Sequence, residues 1–163
     1  MSLVLFTCMV GLLIAPSSIE LSSSLLSLLA VAIGSGAAGA LNMWYESDLD
    51  ALMSRTCLRP IPTGRVKKNQ ALYFGIFLSS ISIAMLYYSA NLISAVLLAF
   101  TIGFYFFIYT IWLKRKTPQN IVIGGAAGAL PPVIGWTIST GSISIEPIIC
   151  LLYTSPSPRD ATL

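Results

Sequence analysis

From Leu21 to Tyr45 the chain runs for 25 residues without a charged side chain. A helix rises about 1.5 Å per residue and the hydrocarbon core of a bilayer is about 30 Å thick, so such a run is long enough to cross it. Further apolar stretches cover Ser2–Ala15, Ala71–Ser89, Leu92–Leu113 and Ile121–Ser139, and another begins near Ile143. In lipid the backbone must satisfy its own polar groups, which makes helices of runs like these. Only 9% of the residues are charged, where soluble domains carry about 25%. The predicted fold class is therefore all-α: a polytopic transmembrane helix bundle of about five complete or near-complete spans in a lipid bilayer. Ser2–Ala15 is short for a span and lacks the charged start of a signal peptide, so Met1 is expected to fall inside a helix.

The sparse charges orient the bundle. Arg55, Arg59, Arg65, Lys67 and Lys68 follow the second stretch, and Lys114, Arg115 and Lys116 follow the fourth. Two spans separate these basic loops, which places both on one side, and the positive-inside rule makes that side cytoplasmic. The net charge of +3 is thus orientation information, and no nucleic-acid partner is expected. Histidine is absent, which excludes a catalytic histidine, a His-bearing zinc site or a His-ligated haem within these residues. Cys8, Cys57 and Cys150 have no metal-ligand or redox spacing and read as small apolar filler.

Between Asn42 and Arg65 an otherwise apolar chain places three acidic and three basic side chains. Asn42, Glu46 and Asp50 recur every four residues and share one face of a helix. Carboxylates at that spacing repel by a few tenths of a kcal/mol in water, and the negative end of the helix adds about 0.3–1 kcal/mol each. A divalent cation would explain the arrangement, because hard cations take carboxylate and amide oxygens. Asp48 lies off that face, where an arginine would meet it. Arg55 and Arg59 are also four apart, and arginine forks suit phosphate oxygens. The set points to a metal-bound diphosphate carrying an apolar tail. The plainer reading is a solvated loop whose acids and arginines pair with one another. Lys114, Arg115 and Lys116 read first as a topology anchor and second as diphosphate contacts. Tyr105, Tyr109 and Trp112 read as an interfacial aromatic belt.

Two runs of small residues, Gly34 to Ala40 and Gly124 to Pro132, suit close helix packing, with Gly124 and Gly128 at small-xxx-small spacing. A sharper reading places a cavity for a lipid-like ligand around Gly36 and Gly39. Pro131 and Pro132 are expected to kink or break the fifth helix.

Asn42-x-x-x-Glu46-x-x-x-Asp50 resembles the first acidic motif of the intramembrane aromatic prenyltransferases, whose usual form has Asp where this chain has Glu46. Within that superfamily NMWYESDLDALMSRT, RPIPTGR and YTIWLKRKTPQNIVIGGAAGALPPVIGW are similar to the protoheme IX farnesyltransferase (haem O synthase) branch. The resemblance implies a nine-helix bundle that transfers the farnesyl group of farnesyl diphosphate to a vinyl group of haem b, giving haem O and diphosphate. It implies Mg²⁺ held by Asn42, Glu46 and Asp50, with Asp48 beside them, and the first three as catalytic residues. It further implies diphosphate contacts from Arg55, Arg59, Lys114 and Arg115. With no transit-like extension present, a bacterial plasma membrane is expected rather than a mitochondrial inner membrane. A haem A synthase or an oxidase-assembly factor is the candidate protein partner. A prenyltransferase acting on a quinone precursor and a non-catalytic subunit or transporter fragment with a cation site remain the alternatives.

Residues 1–149 are expected to be the N-terminal part of such a domain. CLLYTSPSPRD, from Cys150, matches the translation of a transposase-type sequencing adapter, so residues 150–163 are expected to be foreign to the protein. The resemblance implies a second acidic motif, and no Asp or Glu cluster follows Asp50. These 163 residues alone are therefore expected to be inactive.

Overall fold

A computed structural model of the chain describes residues 2–17, 19–54, 56–113, 120–147 and 149. The candidate residues Arg55, Lys114 and Arg115 and the suspected adapter segment lie outside these. The elements are α1 (Ser2–Ile14), α2 (Leu21–Leu52), α3 (Lys68–Ser89), α4 (Leu92–Gly103), a π-helical continuation of α4 (Phe104–Leu113), and α5 (Asn120–Thr140), with no strand among the described residues. Three of these helical stretches, Leu21–Leu52, Lys68–Ser89 and Leu92–Ile111, are long and apolar enough to cross a membrane. This is an all-α membrane helix bundle.

The apolar run ends at Tyr45, but α2 continues to Leu52. Its 32 residues extend about 48 Å, longer than the hydrocarbon core, so one end stands clear of it. The acidic residues thus belong to the helix itself. The expected break at Pro131 and Pro132 does not occur, and α5 runs through both prolines to Thr140. Pro131 is buried, and the carbonyl of Pro132 packs against Gly11 of α1. Neighbouring helices of this kind let a membrane helix tolerate proline.

Lipid tails are as apolar as leucine, so association rests on close packing and polar contacts between helices. The most extensive contacts pair α2 with α3 and α1 with α5. Between α1 and α5 the backbones touch: a Cβ at Gly135 would collide with the Cys8 carbonyl, and one at Gly11 with that of Pro132. Between α2 and α3, a Cβ at Gly34 would stand 2.6 Å from Ser82 Oγ, and one at Gly75 2.8 Å from Leu41. Gly128, by contrast, has nothing within 4 Å of where its Cβ would be, so the spacing that suggested helix packing does not deliver it there.

Hydroxyl groups stitch the remaining seams. Ser82 donates to the Ala30 carbonyl at 2.8 Å, and Ser27 and Ser89 share a bond of 2.9 Å. Asn91 caps α4 by accepting from Ser94 N at 2.8 Å, and its amide donates to the Thr137 carbonyl of α5 at 2.7 Å. Ser94 donates to Thr137 Oγ1 at 3.1 Å. Bonds of this kind contribute about 0.6 kcal/mol each in a bilayer.

Gly135→Ala is expected to destabilise the bundle by about 1–3 kcal/mol, as overpacking of a tight contact does. Thermal unfolding in nanodiscs checks this, with Gly128→Ala as the neutral comparison. Equal stability of the two variants would contradict the α1–α5 contact.

Candidate functional site

The final turns of α2 carry Asn42, Glu46 and Asp50 on one face. Glu46 is 5% exposed and Asp50 3%, and carboxylates are seldom buried this far unless they are paired or hold a metal. Asn42 Oδ1 is buried and has no hydrogen-bond partner. Leaving such an oxygen unmet costs about 1–3 kcal/mol.

The chain beyond Leu52 folds back over this face in a series of turns. Thr56 Oγ1 donates to the Asp50 carbonyl at 3.1 Å, satisfying one carbonyl of the helix end. Arg59 N donates to the Thr56 carbonyl at 3.0 Å, and Thr63 N to that of Arg59 at 3.1 Å. Gly64, at φ +74°, supplies the left-handed turn that a side chain would resist. Val66 N then reaches the Pro60 carbonyl at 3.1 Å. This path delivers the Arg59 guanidinium to Asp50, with Nη1 donating to Oδ2 at 2.8 Å. The ion pair offsets the negative end of α2.

Asp48 goes elsewhere. Its side chain is 79% exposed and meets Lys68 Nζ, a lysine rather than an arginine, at 3.4 Å. The structure thus brings Asn42, Glu46, Asp50 and Arg59 together and leaves Asp48 on the outer side. Among the described residues no three His, Cys, Asp or Glu side chains come together as a metal site. The face offers two carboxylates and one amide oxygen, a donor set that suits a hard cation completing its shell with water or phosphate oxygens.

A cavity of about 320 Å³ opens between the helices, at the lower end of the range for ligand pockets. Val31, Gly34, Ser35, Ala38 and Gly39 of α2 form one wall, facing Leu98, Thr101 and Ile102 of α4 and Pro131 and Ile134 of α5. Gly39 is there, as the small-residue run suggested, whereas Gly36 is not among the lining residues. Tyr105 is there too, and not simply in an interfacial belt: it lines the cavity and lies within electrostatic reach of Glu46 and Arg59. It stacks on Tyr109 at 5.0 Å between ring centroids. Both belong to the π-helical stretch, where Thr110 Oγ1 donates to the Tyr105 carbonyl at 3.0 Å. Wide turns of this kind are frequent at functional sites, and nothing in the run FYFFIYTIWL signals one. Trp44 and Tyr45 pack on Phe106 at 6.1 and 6.5 Å, fixing α2 against that stretch.

The fold and site define an intramembrane helix bundle with a hard-oxygen face near an apolar cavity. The chain belongs to the UbiA prenyltransferase family, whose model matches residues 4–157. It is 69% identical over 160 residues to the protoheme IX farnesyltransferase of Pelagibacter ubique (strain HTCC1062), covering 96% of this chain and 53% of that protein. It is 57% identical over 152 residues to that of Ehrlichia ruminantium (strain Gardel), covering 93% and 52%. The same identity relates it to protoheme IX farnesyltransferase 2 of Mesorhizobium japonicum, covering 93% and 48%. The chain spans about half the length of the curated relatives it matches. No solved structure matches it.

Arg59→Ala strands a buried carboxylate and is expected to destabilise the fold by about 1–3 kcal/mol. Lys68→Ala breaks only an exposed pair, at a cost of about 0–1 kcal/mol. Denaturation of the two variants side by side checks the ranking, and a larger loss in Lys68→Ala would contradict the arrangement.

Proposed function

We propose that this chain supplies the first cation and diphosphate site of an enzyme that farnesylates haem b. The reaction joins the farnesyl group of farnesyl diphosphate to a vinyl group of protohaem IX, with water providing the hydroxyl of haem O. The observation that carries this reading is the face of buried Glu46 and Asp50 with the unmet Asn42 Oδ1, one turn along α2 from the cavity-lining Gly39, in a chain 57–69% identical to proteins named for that activity.

Asn42 Oδ1, Glu46 and Asp50 would hold Mg²⁺, and the unmet Asn42 oxygen supports the fit. When bound, the ion stabilises the departing diphosphate electrostatically. Arg59 sits on Asp50 with a planar fork suited to phosphate oxygens. The allylic C1–O bond breaks with its electron pair leaving on the diphosphate; the vinyl π pair forms the new bond to C1, and water adds to the other vinyl carbon and gives up a proton. Low-dielectric surroundings strengthen each charge interaction at this step. Asp48, on Lys68, is left to the periphery. Arg59, Arg65, Lys67 and Lys68 flank this end of the bundle, which supports a cytoplasmic placement of the site, and the bacterial relatives support a bacterial plasma membrane. The haem O formed would pass to a haem A synthase or an oxidase-assembly partner.

The test is a hybrid in which residues 1–149 of this chain are joined to the remaining half of the Pelagibacter ubique relative, expressed in a host without its own haem O synthase. Haem O is expected in its membranes, and Asp50→Asn should lower its formation by at least about 10²-fold, as loss of a charge-stabilising group does. A prenylated hydroxybenzoate in place of haem O would move the assignment to quinone synthesis. Full activity of the Asp50→Asn hybrid would remove the site.

A further inference from the structure

Two glycines on the same wall of the cavity have different neighbours. At Gly34 an added Cβ would meet Ser82 Oγ at 2.6 Å, Leu98 Cδ1 at 3.2 Å and Ile102 Cδ1 at 3.4 Å, so that glycine is required by packing. At Gly39 an added Cβ would meet nothing within 4 Å. Gly39 therefore holds no helix close and yet lines the cavity. Its backbone is ordinary helix, so a side chain there would carry no strain.

Its place along α2 gives this opening a meaning. The cavity wall on α2 runs through Val31, Ser35 and Gly39, and Asn42 follows within one turn, its buried Oδ1 unpartnered. Gly39 is thus the last cavity-lining residue on α2 before the hard-oxygen face. Tyr105 links the same two regions from the other side, lining the cavity while feeling the charges of Glu46 and Arg59. An anionic head on that face and an apolar tail in the cavity must be joined past this point.

We propose that Gly39 is the specificity-determining position for the prenyl tail: its bare backbone keeps open the neck between the cavity and the Asn42–Glu46–Asp50 face. This rests on the head-group site proposed above and adds to it the residue that admits the tail. The first carbon of a side chain at 39 meets nothing within 4 Å, so a leucine there is expected to extend into the neck. A diphosphate without a tail does not reach it.

The experiment titrates the full 163-residue chain in lipid nanodiscs, with Mg²⁺, against inorganic pyrophosphate, geranyl diphosphate and farnesyl diphosphate. Wild type, Gly39→Ala and Gly39→Leu are compared. Wild type should bind farnesyl diphosphate more tightly than pyrophosphate. That preference should shrink by about tenfold or more in Gly39→Leu, the scale on which hydrophobic pockets respond to added methylenes. Gly39→Ala should fall between, geranyl diphosphate should suffer less than farnesyl diphosphate, and pyrophosphate affinity should hold. An unchanged farnesyl preference in Gly39→Leu overturns the assignment of Gly39, as does a parallel fall in pyrophosphate and farnesyl affinity. Absence of Mg²⁺-dependent pyrophosphate binding in wild type overturns the head-group site itself, and with it this inference.

Discussion

Two carboxylates and an amide oxygen held out of water on one face of α2 are the constraint to which the rest of this bundle answers. Alone, such a face is unfavourable. Glu46 and Asp50 repel each other at the negative end of a helix, and burial removes the water that would screen them. The fold supplies part of the remedy: Arg59 stands on Asp50, carried there by the turns from Thr56 to Val66. It does not supply a partner for Asn42 Oδ1. A site that leaves such an oxygen unmet fits a ligand that brings positive charge with it.

Small residues serve two separate ends in the same bundle. Gly11 and Gly135 let α1 and α5 touch backbone to backbone, while Gly34 and Gly75 make room for the side chains of Ser82 and Leu41 between α2 and α3. Gly39 and Gly128 face open space instead and border the cavity. The first group contributes packing, which drives association where the hydrophobic effect between helices is absent. The second leaves room for an apolar ligand. Hydroxyls from Ser27, Ser82, Ser94 and Thr137 then lock the helices around that room.

Much of this was legible in the residues. The apolar runs located the helices closely, because a bilayer leaves few ways to satisfy a backbone. The four-residue recurrence of Asn42, Glu46 and Asp50 put them on one face, and the helix running on to Leu52 kept them there. Three features were not legible. The α1–α5 contact uses Gly11 and Gly135, which lie in no glycine run, and only the fold brings them together. Pro131 and Pro132 stay within α5 because neighbouring helices support the helix, which local propensity does not register. The π-helical stretch that turns Tyr105 toward the cavity comes from a run of aromatic and branched residues without a distinguishing signal. Asp48 was separable from its neighbours by helical phase, but not the identity of its partner, Lys68.

The most direct test of the central claim is thermal unfolding of Asn42→Leu and wild type, each with and without Mg²⁺ and pyrophosphate. If the Asn42 oxygen is kept for a cation, the leucine variant should be the more stable of the two without ligand, by about 1–3 kcal/mol. Ligand should then raise the stability of wild type and leave the variant unchanged. A variant that is less stable without ligand, or that gains as much as wild type when ligand is added, would contradict the account.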